Sequence, residues 1–146
     1  MKKKTSHNRI PADPANWSEK SQGSVGAYFI KEYEDKHYTC YKCKQNSIFT
    51  AREQKYTYEV KKAPIEQDRV LCTNCLKESH ILKHKITECE ARWKEARSTL
   101  EADYTFLTYW LGLLTAHAEY IRIPNTAAIN MLNKRIRNMS DKTPKP

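Results

Sequence analysis

The sequence predicts an α+β fold, mostly helical, in which a small cysteine-rich module precedes a long α-helical extension. Three observations predict it. Two Cys-x-x-Cys pairs, Cys40-Tyr-Lys-Cys43 and Cys72-Thr-Asn-Cys75, stand 28 residues apart. Short apolar runs and turn residues lie around and between them, as small hairpins require. Beyond them, apolar or small side chains recur at helical spacing through Leu82, Ile86, Cys89, Trp93, Ala96, Leu100, Tyr104, Leu107, Leu111, Leu114 and Ala118.

Taken in order, residues 1–27 are polar and hold Pro11, Pro14, Gly23 and Gly26 with no regular period, which predicts a flexible arm. Residues 28–80 form the predicted metal module. Tyr28-Phe29-Ile30 is an apolar island suited to docking on it. Tyr38, Tyr41, Ile48 and Phe49 surround the first cysteine pair, as in a small hairpin or zinc knuckle. Thr50-Ala51-Arg52-Glu53 has the form of a capping box, so a short helix runs from there to about Lys61, with Pro64 beyond its end.

Residues 81–139 form the helical extension. No Gly or Pro occurs from Ile65 to Trp110, and the apolar stripe is close to a heptad. Lys83, Lys85, Glu88, Glu90, Lys94, Glu95 and Arg97 flank it as a solvated face. One helix, or two with a break near Gly112, both fit. Pro124 ends this element, and Asn125 or Thr126 caps a final short helix bearing Ile129, Leu132 and Ile136. That helix is expected to fray after Met139, leaving 140–146 as a disordered tail.

The chemistry lies in the paired cysteines. Two sulfurs held on each of two tight loops converge on one point, and four thiolates suit a tetrahedral Zn²⁺. A Cys₄ site is closed and structural, with no open position for water or substrate. An iron site of rubredoxin type and a redox dithiol remain open as alternatives. Cys89 falls on the apolar stripe and reads as a core thiol. His37 reads as a surface residue. His80 and His84, at i and i+4, lack the Glu of a His-Glu-x-x-His motif. His117 reads as a hydrogen-bonded core residue. No Gly-rich phosphate loop, Ser/His/Asp set or paired carboxylates stand out, so no enzyme is predicted.

The 146 residues carry a net charge of +9. That favours acidic partners, RNA or DNA among them, contacted through Lys2–Lys4 and the basic C-terminal residues. No apolar run follows Met1-Lys2-Lys3-Lys4, which argues against a signal peptide and for a reducing, cytoplasmic setting where thiolates hold metal. Phe106 to Ile121 is the most apolar stretch, too short and too polar at Thr108, Thr115, His117 and Glu119 to span a membrane.

Residues 37–79 read His-Tyr-Thr-Cys-Tyr-Lys-Cys, Ile-Phe-Thr-Ala-Arg-Glu-Gln-Lys-Tyr, Tyr-Glu-Val-Lys-Lys and Arg-Val-Leu-Cys-Thr-Asn-Cys in turn. With the upstream Arg9-Ile10-Pro11-Ala12-Asp13-Pro14, they resemble the bacterial probable zinc-ribbon domain family over roughly residues 9–80. That resemblance implies Cys40, Cys43, Cys72 and Cys75 as zinc ligands and hardly more, since the family has little established function. This chain has Lys44 where members usually have Gly after the second cysteine, and Tyr56 where many have Trp.

The expectation is therefore a non-catalytic zinc protein with one structural Zn²⁺ per chain. Its 82–118 stripe would engage a protein partner or a second copy, as an adaptor. A basic zinc ribbon that binds RNA or DNA is the alternative, and a redox or iron protein the third.

Overall fold

A computed structural model of the chain describes residues 8–142. The basic run Lys2–Lys4 and residues 143–146 of the expected tail lie outside the described residues. The chain divides into two compact units between Cys72 and Thr73. The expected boundary near residue 80 thus moves back into the second cysteine pair.

The first unit is built on two small antiparallel sheets. Strand β1 (Arg9–Pro11) pairs with β2 (Glu32–Glu34), with Ile10 opposite Tyr33. Strand β3 (Lys36–Thr39) pairs with β4 (Asn46–Phe49), with His37 opposite Ile48. Helix α1 (Glu19–Gln22) is capped by Ser18. Helix α2 (Ala51–Lys55) starts at the expected capping box: the Thr50 hydroxyl accepts from the Glu53 amide, and the Glu53 carboxylate accepts from the Thr50 amide. A π-helical turn, Tyr56–Val60, continues it.

Residues 1–27 were expected to be a flexible arm, and here the structure corrects the reading. Residues 9–28 carry β1, α1 and two 3₁₀ turns, and Trp17 is buried. Trp17 belongs to a core cluster with Tyr33, Phe49, Ala51, Tyr58 and Ile65. A polar chain runs through this core. Trp17 Nε1 donates to the Tyr33 hydroxyl at 2.7 Å, and that hydroxyl donates to Glu59 Oε1 at 3.0 Å. The same carboxylate accepts from the Asp13 amide at 2.8 Å and pairs with Lys55. Burial alone would raise the Glu59 carboxyl, but the Asp13 amide, Lys55 and Tyr33 together hold it below its usual range. Apart from Lys55 and Glu59, the partners are 16 to 46 residues apart, so no local period announces the segment's fold.

The second unit is helical. Helix α3 (Thr73–Leu100) has one non-helical residue, Ala96. Helices α4 (Tyr104–Ala118) and α5 (Thr126–Asp141) follow. The break therefore falls at residues 101–103 and not near Gly112. Asp103 explains it: its carboxylate accepts from the Phe106 amide and starts a new helix. Gly112 sits inside α4 without breaking it. Asn125 caps α5 by accepting from the Ala128 amide, and α5 runs two residues past the expected fraying point.

Much of the apolar stripe is packed inside this unit, although Tyr104 stays 53% exposed. Ile86, Cys89 and Leu100 of α3 meet Phe106, Leu107, Trp110, Leu113 and Leu114 of α4 and Leu132 of α5 in one buried cluster. The Trp110 ring lies 5.5 Å from Trp93 and 5.8 Å from Phe106. The surface expected to meet a partner is thus the unit's own core. Among the described residues, no helix is long and apolar enough to cross a membrane.

Three substitutions should sort by environment in urea or thermal unfolding. Leu107 is fully buried, so Leu107→Ala should cost about 2–5 kcal/mol. Tyr109, at 50% exposure, should tolerate Tyr109→Ala within about 0.5 kcal/mol. A Cβ at Gly112 would meet nothing within 4 Å, so Gly112→Ala should stabilise α4 by roughly 0.5–1 kcal/mol.

Candidate metal centre

Each cysteine pair is positioned by a different device. The first sits on a knuckle that closes the β3–β4 hairpin. The Cys40 amide donates to the Gln45 carbonyl at 2.9 Å, and the Lys44 amide donates back to the Cys40 carbonyl at 3.0 Å. The turn needs a left-handed residue after Cys43, and Lys44 takes it at φ 64°. This is the position where the resembling family usually has Gly. The Lys44 ammonium is held there by the Tyr41 carbonyl at 2.6 Å and lies 4.9 Å over the Tyr41 ring.

The second pair is brought to the knuckle by the segment just before it. The Tyr41 amide donates to the Val70 carbonyl at 2.8 Å, and the Tyr38 hydroxyl donates to the Leu71 carbonyl at 2.8 Å. Arg69 lies over the Phe49 ring at 4.4 Å. Cys72 then immediately precedes α3, and Cys75 falls in its first turn. The positive end of a helix favours thiolates there.

The Sγ atoms of Cys40, Cys43, Cys72 and Cys75 all lie within 4.8 Å of one another. A zinc–sulfur bond of about 2.3 Å sets the edge of a sulfur tetrahedron at about 3.8 Å. Cys43 Sγ and Cys72 Sγ are 3.8 Å apart. The donor set fits a tetrahedral thiophilic ion. Burial pushes the Cys40 thiol up, yet the backbone amides of Cys43, Cys72 and Lys42 overcome it and bring the thiol down to about 6. The Cys72 amide reaches Cys40 Sγ at 3.2 Å. Cys40 is thereby prepared as a thiolate.

The structure brings together the four cysteines that the sequence singled out. Among the described residues they are the one group of His, Cys, Asp or Glu placed to hold a metal ion. Cys89 stays apart in the helical core, where burial pushes its thiol up. His37 is exposed on β3, and His84 faces Glu88 at 3.7 Å. His117 meets Ser79 at 3.3 Å, and burial, then the Lys83 charge, lowers its pKa. The Trp17–Tyr33–Glu59 chain was missed by sequence reasoning. Its one sequence signal was the Tyr-Glu-x-x-Lys stretch at Tyr58-Glu59, read as part of a family pattern and not as a buried carboxylate.

Loss of a ligand and loss of a core thiol should separate cleanly. Cys40→Ser should abolish metal retention and the cooperative melt of the first unit, since metal binding of order 10 kcal/mol is coupled to folding in small zinc modules. Cys89→Ser should keep both, with a shift of about 1–2 kcal/mol. Metal content and near-ultraviolet dichroism of the two variants check this.

Neither a curated protein nor a solved structure gives a match to the chain. A family match does exist, and it coincides with this site: residues 34–83, which span β3, β4, α2, all four cysteines and the first turns of α3, match the probable treble clef domain.

Proposed function

We propose that the protein is a non-catalytic zinc-binding module whose Cys₄ treble clef is structural and whose surface serves as an adaptor for a protein partner. One observation carries the zinc reading: the sulfurs of four cysteines lie within 4.8 Å of one another, two of them 3.8 Å apart. Thiolate sets of this kind select soft or borderline ions, and structural zinc is closed in this way. A closed set leaves the metal no coordination position for substrate, which supports a non-catalytic role.

The adaptor reading no longer rests on the 82–118 stripe, which packs within its own unit. It rests on apolar side chains left in solvent. Val25 and Tyr28 lie on a 3₁₀ turn of the first unit and Phe29 caps its end, with Phe29 79% exposed. Large apolar groups grouped in this way favour a protein contact.

A second reading is favoured by charge. Helix α5 carries Lys134, Arg135 and Arg137 against one acid, Asp141, and the whole chain is at +9. Such a face suits nucleic acid phosphates. Fluorescence anisotropy with labelled RNA and DNA discriminates: affinity that falls steeply between low and moderate salt supports it, and no binding at low salt rejects it.

Elemental analysis of protein purified without added metal tests the main reading. About one zinc per chain is expected. Iron at that ratio, or folded protein without metal, overturns it.

A further inference from the structure

We propose that the cysteine cluster is also an oxidative modification site, at which a hydroperoxide oxidises Cys43 and Cys72 closes on it to form a Cys43–Cys72 disulfide. The inference rests on the zinc reading of the same four residues. Its basis is that the four sulfurs are not equivalent. Cys40 is 0% exposed and Cys75 is 7% exposed. Cys43 is exposed, and Cys72 is partly so. The exposed cysteines therefore come one from each Cys-x-x-Cys pair, and their sulfurs lie 3.8 Å apart.

Cys40 is further held inside the fold by the Cys72 amide, which donates to its Sγ at 3.2 Å. Cys43 stands exposed to solvent between Lys42 and Lys44 in the chain. Exposure and thiolate character are what select a cysteine for oxidation.

The steps balance with a hydroperoxide as the co-reactant. The Cys43 thiolate attacks a peroxide oxygen; an S–O bond forms, the O–O bond breaks, and hydroxide leaves. The product is a sulfenic acid. The Cys72 thiolate then attacks the Cys43 sulfur; an S–S bond forms, the S–O bond breaks, and a second hydroxide leaves. Two thiolates have lost two electrons, and one peroxide has gained them. The sulfurs close from 3.8 Å to about 2.05 Å. A disulfide is no longer a pair of anionic ligands. Cys40 and Cys75 alone do not complete a tetrahedron, so the zinc is released. A thiol reductant and zinc restore the starting state. Closure within either Cys-x-x-Cys pair would instead require a buried sulfur, Cys40 or Cys75, to come out.

The test uses the full-length, zinc-loaded protein and stoichiometric hydrogen peroxide. Zinc release is followed with a chromogenic chelator, and disulfides are mapped by non-reducing tryptic digestion. Trypsin separates Cys40 from Cys43 at Lys42, leaving residues 43–44 and 70–77 as distinct peptides. The expected result is a link between them, placed at Cys72 by fragmentation, that accumulates in step with release of about one zinc per chain. Dithiothreitol with zinc should reverse both. Brief alkylation of unoxidised protein should label Cys43 first. A first-formed link within 40–43 or 72–75, a link through Cys89, or full zinc retention under peroxide overturns the proposal. Protein that holds no zinc before peroxide is added fails the zinc reading itself, and the disulfide map of that protein still decides the pairing.

Discussion

Four sulfurs within 4.8 Å of one another repel each other as thiolates unless a cation lies among them. Everything near the first cysteine pair is arranged around that constraint. The knuckle holds Lys44 at a positive φ, a conformation that costs a non-glycine residue on the order of 1 kcal/mol. The Cys40 carbonyl and the Cys72 amide are both turned to the loop interior. The second pair arrives at a helix start, whose positive end favours thiolates. Metal–thiolate bonding at this end of the module would add to what a small apolar core supplies.

The rest of the first unit has its own organiser. Glu59 is a buried carboxylate with an amide, a phenol and an ammonium on it, and it ties Asp13, Tyr33 and Lys55 to one point. A buried charge satisfied in this way is costly to leave half-paired. It therefore fixes where the N-terminal segment docks. The aromatic rings of Trp17, Tyr33, Phe49 and Tyr58 then fill the space around it. Metal and carboxylate divide the work: one sets the knuckle and helix start, the other sets β1, β2 and the π-helical turn.

The second unit answers a different problem. A stripe running the length of α3 and α4 would expose a large apolar face if the helices continued in one line. The Asp103 cap allows the chain to turn, and the stripe is buried against itself and against Leu132 of α5. The outward faces carry many charges, beside the exposed Ile81, Tyr104 and Tyr109. Arg97 and Arg135 both stack on Trp93, at 5.4 and 5.3 Å, covering the one half-buried indole with cations. What stays apolar and exposed lies mainly in the first unit, at Val25, Tyr28 and Phe29.

The sequence by itself determined the ligand set, because Cys-x-x-Cys spacing is local chemistry and needs no tertiary information. It also determined the capping box at Thr50, a cap at Asn125 or Thr126 and the helical character of residues 82–118, since caps and a 3.6-residue period are written within a few turns of chain. Tertiary structure decided the rest. Whether the long stripe is one helix or a hairpin depends on what covers it, and a lone Asp103 in an unbroken period does not say so. The order in residues 9–28 comes from contacts across 16 to 46 residues, which leave no periodic mark. Which two of four cysteines face solvent is likewise a matter of packing: equal spacing makes the pairs look equivalent, and only the fold buries Cys40 and Cys75 while leaving Cys43 in water.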